Sequence, residues 1–421
     1  MSITKAMWTG VSGLGAEGSA LGVIGDNIAN GNTVGFKASR ALFEDVLGGA
    51  IGSNVGGGVR MARAQQIFAQ GSIVNTGQAT DLAISGDGFF VVKGALGGVN
   101  GEFYSRAGQF TPNNEGFLVN PQGLKLQGYA ANADGTFQGG LSDIKLPTAP
   151  LAPNATTSFE LDANLDPNEV PPAVTPFDSA NAAASSNFST STEVFDSLGN
   201  AHTVDVYFVK TPTGWDYHAT TDGADLTPPT VGPFEIGSGA LTFNTDGTLA
   251  THTPAVPVAA SFAGAAAGQA IALDFGTPGT NDGITSLGGA SAVNGQSQDG
   301  YSSGLLSGVK ISPDGVVMGT YSNGEEMAIA QVAIAKFASN DGLDRAGGNS
   351  WLKTRESGEA ILAAAGTGGR GALVAGALEQ SNVDIAEQFV RMISHQRSFQ
   401  ANSKTITTAD EMMQEVVNLK R

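Results

Sequence analysis

The first thirty residues carry apolar side chains at alternating spacings of four and three, the pattern of a single helix face. The apolar positions are Ile3, Met7, Leu14, Leu21, Ile24 and Ile28. Four glycines between Gly10 and Gly18 weaken such a helix, each by up to about 1 kcal/mol relative to alanine. We therefore predict an N-terminal helix that needs a closely packed partner.

The C-terminal segment that follows Ser381 repeats this pattern over about four heptads. Its apolar positions are Ile385, Phe389, Met392, Phe399, Ile406, Met413 and Val417. Ser381 is the predicted N-cap of this second helix. Because each helix is apolar on one side only, we expect the two to pack together, within one subunit or between neighbouring copies.

Between the helices the sequence alternates short apolar runs with tight-turn dipeptides. Asp87-Gly88 precedes a four-residue apolar run, and Asp246-Gly247, Asp314-Gly315 and Asn323-Gly324 are further turn signals. This spacing predicts mainly antiparallel β domains of the barrel or sandwich type. Together with the terminal helices, which would form a coiled-coil-like inner domain, it indicates an α+β fold.

Charge divides the 421-residue chain into an acidic middle and nearly neutral arms. The chain has 21 basic and 39 acidic side chains, which argues against nucleic-acid binding. Lys210 is the sole basic residue between Leu151 and Gly300, where sixteen acidic residues lie. The predicted divisions are a helical domain (1–30 and 381–421), a connecting region (31–70 and 359–380), a β domain built from both arms (71–146 and 301–358) and an acidic β domain (147–300).

Neither catalytic nor cofactor chemistry is indicated by the motifs. Two glycine patterns, at 13–18 and 366–371, lack the strand-then-helix context of a dinucleotide site, so we expect no cofactor. The four histidines are scattered and suggest no metal site or catalytic triad, and cysteine is absent. No stretch has the composition of a membrane span or a cleaved signal peptide. We therefore expect a non-enzymatic protein without membrane insertion.

One short string after the first helix is distinctive. Asn30, Gly31 and Gly35 can end a helix with left-handed backbone, and Phe36 then supplies an anchor. This string resembles the N-terminal signature of the bacterial flagellar axial proteins, the family of rod, hook and hook-associated subunits. Its motif residues are Asn27, Ala29, Asn30, Thr33, Gly35, Phe36 and Lys37.

The resemblance continues along most of the chain. Residues 82–90, 104–110, 116–119 and 376–384 are similar to segments of the same family, as are 392–402. The insert around 193–202 resembles the outer domain of hook subunits, whereas rod subunits lack a large insert. The resemblance thus implies a hook subunit, with a distal rod subunit as the alternative.

Such a subunit would form a curved, flexible, hollow tube, a universal joint that transmits torque from rod to filament. The implied partners are further copies of this chain, the distal rod, the hook cap, the hook–filament junction proteins and the flagellar export apparatus. The implied location is outside the cell, in the hook and basal body of the flagellum. We also expect the terminal helices to be largely unfolded before assembly, because helices without a packing surface are marginal.

Overall fold

The computed structural model describes residues 3–47, 56–132 and 134–418, with the side chain of Ile3 left out. Its helices are α1 (Ile3–Ala29), α2 (Ala182–Ser185) and α3 (Ile385–Asn418), and the 3-10 turns are Ser179–Asn181, Gly223–Asp225 and Asn340–Gly342. The strands of the N-terminal arm are β1 (Ser39–Asp45), β2 (Val59–Gln66), β3 (Ile73–Asn75), β4 (Leu82–Ser85), β5 (Phe89–Leu96), β6 (Val99–Ser105), β7 (Thr111–Pro112), β8 (Leu118–Val119), β9 (Lys125–Ala131) and β10 (Phe137–Asp143).

The strands of the middle segment are β11 (Ser158–Asn164), β12 (Phe188–Phe195), β13 (Ala201–Thr211), β14 (Gly214–Asp222), β15 (Pro233–Phe243), β16 (Leu249–Val256), β17 (Ala259–Ala260), β18 (Gln269–Ala270), β19 (Ala272–Asp274) and β20 (Ala292–Gln298). Those of the C-terminal arm are β21 (Leu306–Ile311), β22 (Val316–Tyr321), β23 (Glu326–Lys336), β24 (Asp344–Gly347), β25 (Ser350–Leu352), β26 (Ile361–Ala364), β27 (Ala372–Ala375) and β28 (Ala377–Glu379).

The chain forms two compact units. The first unit is built from both arms and comprises Met1–Thr148, Gly308–Thr320 and Glu326–Arg421. The second unit comprises Ala149–Ser307 and Tyr321–Glu325. The first unit therefore draws on sequence segments that lie hundreds of residues apart, and long-range contacts must hold them together.

A twelve-stranded sheet dominates the first unit, with the central order β21-β22-β23-β9-β5-β6-β25-β24. Aromatic rings fill the core beside it, and Phe89 makes edge-on contacts with Phe68, Phe337 and Trp351. Two small antiparallel pairs, β27 with β4 and β28 with β3, join the C-terminal arm to the N-terminal arm. The hairpin of β1 and β2 packs on α1, where the Ser12 hydroxyl accepts a hydrogen bond from the Val59 amide at 3.2 Å.

The second unit is organised around a five-stranded antiparallel sheet of order β12-β13-β14-β15-β16. A smaller sheet places β11 between β19, which runs parallel to it, and β20, which runs antiparallel. Alternate residues of β13, namely Val204, Val206 and Phe208, are buried, as the period of two in a half-buried strand requires. These residues join Trp215 and other apolar side chains in one continuous core.

This architecture confirms the predicted fold class, since 43% of the chain is strand, mostly antiparallel, and a helix lies at each end. The predicted turn glycines are also confirmed. Gly247, Gly315 and Gly324 each link two strands of an antiparallel pair or meander and have φ values of 85°, 88° and 89°. Glycine adopts this left-handed region without the steric cost that a Cβ imposes.

The predicted N-cap of the C-terminal helix is wrong. Helix α3 begins at Ile385, and the side chain of Asp384 caps it by accepting hydrogen bonds from the amides of Ala386 (2.9 Å) and Glu387 (3.1 Å). Aspartate serves this position at least as well as serine, because its charge also interacts favourably with the helix dipole. Ser381 instead accepts a local bond from the Val383 amide at 3.3 Å.

A buried aspartate organises the turn that leads into β13. The Asp196 carboxylate is fully buried and accepts bonds from the amides of Leu198 (2.8 Å) and Asn200 (2.9 Å) and from the Asn200 side chain (3.0 Å). Burial alone would raise the pKa of Asp196, but these hydrogen bonds, together with His202, hold it below its usual value. The folded protein therefore favours the ionised form.

We expect Asp196→Asn to destabilise the second unit by about 1–3 kcal/mol at pH 7, because an amide cannot accept all of these bonds. The pKa of Asp196 in the folded protein lies below its value of about 3.9 in the unfolded chain. The ionised carboxylate therefore stabilises the folded state fully above the unfolded pKa, and this stabilisation is lost as the pH falls through the folded pKa. The difference in free energy of unfolding between wild type and variant should thus become smaller below about pH 4. Denaturant unfolding followed by tryptophan fluorescence measures this, with the exposed Glu160→Gln as control. An equal gap at pH 3 and pH 7 would contradict this account.

Candidate functional site: the paired terminal helices and their anchor

Helices α1 and α3 pack against each other, and the buried line of α1 consists of small residues followed by one isoleucine. This line consists of Gly10, Gly13, Ala16, Ala20 and Ile24. A Cβ added to Gly10 would lie 2.8 Å from Ile406 Cγ1, and one added to Gly13 would lie 2.6 Å from the Asn402 side chain. The helices therefore approach more closely than larger residues would permit.

The predicted N-terminal positions lie on or beside this line. Ile24 is buried, whereas the rest of the described set is half-buried: Met7, Leu14, Leu21 and Ile28. The side chain of Ile3 lies outside the described residues. A strict heptad drifts relative to a straight helix of 3.6 residues per turn, which explains why the larger apolar side chains flank the closest contact.

The predicted C-terminal positions divide into two groups. Ile406 packs against Gly10, and it is half-buried, as is Met392. The remaining positions are exposed by 36% to 69%: Ile385, Phe389, Phe399, Met413 and Val417. Only part of this apolar pattern is thus used inside one chain.

An ionisable pair also bridges the two helices. His395 on α3 lies next to the seam, and its Nδ1 is 2.5 Å from Glu17 Oε2 on α1. The Phe43 ring of the β1–β2 hairpin lies 6.1 Å from the imidazole, measured between ring centroids. Helix pairing in this chain therefore combines apolar contact with specific polar contacts.

The family motif ties the end of α1 to the rest of the first unit. Buried Asn27 accepts a bond from the Ser39 amide (2.8 Å) and donates to the Ser39 carbonyl (2.7 Å) and to Gln388 Oε1 on α3 (3.0 Å). Asn30 donates to the Asp26 carbonyl at 2.9 Å and accepts from the Thr33 hydroxyl at 3.1 Å. These bonds tie the end of α1 to the segment that follows it and to α3.

The second half of the motif is almost entirely buried. Gly35 has a φ of 68°, and its amide donates to the Glu379 carbonyl at 2.7 Å. A Cβ at this position would lie 2.5 Å from the Ala107 amide nitrogen, so the close approach requires glycine. Phe36 and Lys37 are each 1% exposed. Ala29, in contrast, is exposed to solvent.

Glu379 gathers two cations in the interior, and we call Lys37, Arg106 and Glu379 the Glu379 cluster. Lys37 Nζ lies 2.6 Å from one carboxylate oxygen, and Arg106 Nη1 lies 3.2 Å from the other. The Gly71 amide also donates to the carboxylate, at 2.9 Å. The side chains of Lys37 and Glu379 are 0% exposed and that of Arg106 is 4% exposed, so water cannot replace these contacts.

Backbone carbonyls satisfy further donors of the Glu379 cluster. Lys37 Nζ donates to Ala69 at 2.8 Å, and Arg106 Nη2 donates to Gly86 at 2.8 Å. Burial lowers the pKa of Lys37 and of Arg106, and the Glu379 carboxylate opposes both shifts. The carboxylate therefore offsets the desolvation cost of burying two cations.

Asn382 adds a neutral link beside the cluster. Its side-chain oxygen accepts a bond from the Ala38 amide at 2.7 Å, and its nitrogen donates to the carbonyls of Ile67 (2.7 Å) and Ala69 (3.0 Å). The N-terminal motif, the hairpin and the start of the C-terminal helix thus meet at one place.

Sequence reasoning did not assign roles to Arg106, Glu379, Asn382 or Gln388. Arg106, Glu379 and Asn382 fall in strings that carry the family resemblance, which was the available signal. Gln388 lies on the polar side of a helical pattern, and the sequence carried no signal for its role. Among residues 3–47, 56–132 and 134–418, no cluster of His, Asp or Glu side chains could hold a metal ion. In the same ranges, no helix is long and apolar enough to cross a membrane.

Family models match four segments that cover most of the chain. Residues 7–37 match the flagella basal body rod protein model, and residues 83–164 match the flagellar hook protein FlgE/F/G D1 domain. Residues 160–301 match the flagellar basal body protein FlaE D2 domain, and residues 374–419 match the flagellar basal body rod FlgEFG protein C-terminal model.

Full-length relatives give the same result. The chain is 41% identical over 416 residues to the flagellar hook protein FlgE of Escherichia coli (strain K12), an alignment that covers 97% of this chain and 98% of the relative. It is 39% identical to FlgE of Salmonella typhimurium (strain LT2), with 100% of both chains covered. The crystal structure of Helicobacter pylori flagellar hook protein FlgE2 shares the fold, with a TM-score of 0.52, 16% identity, and coverage of 71% of this chain and 98% of that chain.

We expect Glu379→Gln to destabilise the first unit by about 3–5 kcal/mol, because it leaves two buried cations without a counter-charge. Urea unfolding of the full chain measures the loss. The matched control is Glu387→Gln, which removes the exposed partner of Arg391 on α3 and should cost no more than about 0.5 kcal/mol. Equal stability of the two variants would show that the Glu379 cluster does not hold the first unit together.

Proposed function

This chain belongs to the flagellar hook protein FlgE family, and from that premise we propose that it polymerises through its terminal helices into a curved, hollow, flexible tube. The full-length relatives support a hook subunit over the distal rod subunit that the sequence left open. In this proposal the tube transmits torque from the rod to the filament and acts as a universal joint. The family is structural, and the chain's own role is mechanical.

Unpartnered apolar side chains on the terminal helices support the polymerisation step. Soluble monomers seldom expose many large apolar residues on one element, and such exposure marks an interaction surface. On α1, Trp8 is 71% exposed and Val11 is 45% exposed. On α3 the exposed set is Ile385, Phe389, Val390, Ile393, Phe399, Met412, Met413, Val416 and Val417. We propose that neighbouring copies bury these side chains.

The proposed division of labour follows the predicted divisions of the chain. Residues 1–30 and 381–421 form the inner helical domain, and residues 31–70 with 359–380 connect it to an inner β domain of residues 71–146 and 301–358. Residues 147–300 form the outer acidic β domain. The Glu379 cluster lies where the connecting region meets the inner β domain, which suits an anchor for the helices.

Bending of the tube would arise from two kinds of contact. Apolar helix contacts are specific, so they would hold the lattice. Contacts between acidic outer domains would be polar and hydrated, and they can rearrange at low cost when neighbouring copies move. Like charge on these domains would also suppress non-specific association.

The proposed partners and location follow from the same role. We propose that the subunit passes through the flagellar export apparatus and assembles outside the cell. There the polymer would contact the distal rod, the hook cap and the hook–filament junction proteins. Helices that gain much of their apolar packing on assembly would suit export in an unfolded state and would prevent premature polymerisation.

The double substitution Phe389→Ser with Ile393→Ser tests the polymerisation surface. Both side chains are about half exposed, so we expect the monomer to melt at an unchanged temperature. Tube assembly should require at least about tenfold more protein, since that corresponds to a loss of only about 1.4 kcal/mol at the interface. Pelleting assays and negative-stain electron microscopy measure assembly.

The matched control for that experiment is Ser394→Ala, at an exposed polar position of the same helix turn. It should assemble like the wild type. Normal tubes from the double variant would refute the role proposed for the exposed face of α3.

A further inference from the structure

The second unit contains a single cation among many carboxylates. Lys210 is its sole lysine and it has no arginine, whereas sixteen acidic residues lie between Glu160 and Asp299 and Glu325 adds another. Copies of such a unit repel one another when they are brought side by side. Any specific contact between them therefore depends strongly on how the one cation is used.

Lys210 lies at an unusual position for a charged residue. It follows Val204, Val206 and Phe208 in the alternating register of β13 that faces the core. Its ammonium group lies 5.0 Å from the ring centroid of Trp215, which is 1% exposed. The apolar stem thus extends the core, and the charge emerges where the core ends.

Two hydrogen-bond donors at this place have no acceptor. Among the described residues, the Lys210 ammonium forms no hydrogen bond or ion pair, although its backbone amide donates to Asn187. The indole Nε1 of Trp215 is buried and also has no partner among them. Buried donors are normally paired, and a lysine ammonium can donate three bonds. The indole is buried away from the cleft lining, so the Lys210 ammonium is the group that can take an oxygen acceptor from another molecule.

A cleft of about 500 Å³ opens at the same end of the core. Lys210 lines it together with Pro212, Phe243, Asn244, Asp246, Ser286 and Leu287. The Asp246 carboxylate bonds within its own turn, where its Oδ1 accepts bonds from the Thr248 hydroxyl (2.7 Å) and amide (3.0 Å). These bonds lower the pKa of Asp246. The cleft thus offers a cation and room for a side chain, and one oxygen of its own carboxylate is bonded to Thr248.

We propose that this cleft receives a carboxylate side chain from the second unit of a neighbouring copy, with Lys210 as its counter-ion. The inference rests on the proposed polymer, in which acidic second units lie near one another. Charge complementarity favours this occupant, since each second unit supplies Lys210 as its sole lysine or arginine and a large excess of carboxylates. A contact between a cleft on one copy and a carboxylate on the next is heterologous, the type of contact that builds helical assemblies.

Zero-length cross-linking of assembled tubes tests the inference. A carbodiimide joins an amine to a carboxylate in direct contact, with loss of water, and Lys210 is the one lysine of the second unit. Tubes are assembled from an equal mixture of ¹⁴N and ¹⁵N chains, so that mass spectrometry separates links between chains from links within one chain. We expect Lys210 joined to an Asp or Glu of a differently labelled chain in tubes, and no such link in the monomer.

The chain supplies its own control. Lys310 pairs with Glu326 within the first unit, so this link should form within one chain in monomer and tube alike. If that control link forms and Lys210 stays unlinked, or links only to its own chain, the inference is overturned. If no tubes form at all, both the proposed polymer and this inference are refuted.

Lys210→Arg should still assemble into tubes, because arginine keeps the positive charge. Lys210→Glu should make tubes less stable when they are measured without added salt.

Discussion

A carboxylate that water cannot reach must be surrounded by donors, and Glu379 meets this requirement with groups drawn from distant parts of the sequence. Lys37, Arg106 and the Gly71 amide all point to it, and its own backbone carbonyl accepts the Gly35 amide. Removing the Glu379 carboxylate would leave two buried cations without compensation. The cluster therefore fixes the position of both terminal arms on the β sheet, and the two helices are attached to the chain at this place.

The helices themselves are held less firmly within one chain. Gly10 and Gly13 allow close approach, yet glycine lowers helix stability and buries little apolar surface. Much of the large apolar surface on α3, such as Phe389 and Ile393, remains exposed. A rigid anchor followed by incompletely packed helices is well suited to a subunit whose final contacts are made with other copies. The acidic second unit has its own core.

The sequence predicted local features well because they depend on neighbouring residues. The turn at Gly247 and the helical periodicity before Ala29 both follow from local spacing. The Glu379 cluster could not be predicted in this way, since Lys37 and Glu379 are 342 residues apart and no periodicity relates them. The closest helix contact lies at Gly13 and Ala16 and not at the predicted heptad positions, for a similar reason. A heptad pattern identifies the larger apolar side chains, whereas packing against the partner helix determines which residues lie on the line of closest approach.

Hydrogen exchange of the full-length monomer tests the central claim, that the Glu379 cluster fixes the arms while the helices await assembly. The account predicts that the amides of Gly35, Ala38 and Gly71 exchange only through global unfolding. Amides in the middle of α1 and in the last turns of α3 should exchange faster by on the order of 100-fold or more. Uniform protection of helices and anchor, or exchange at the anchor as fast as in the helices, would contradict it.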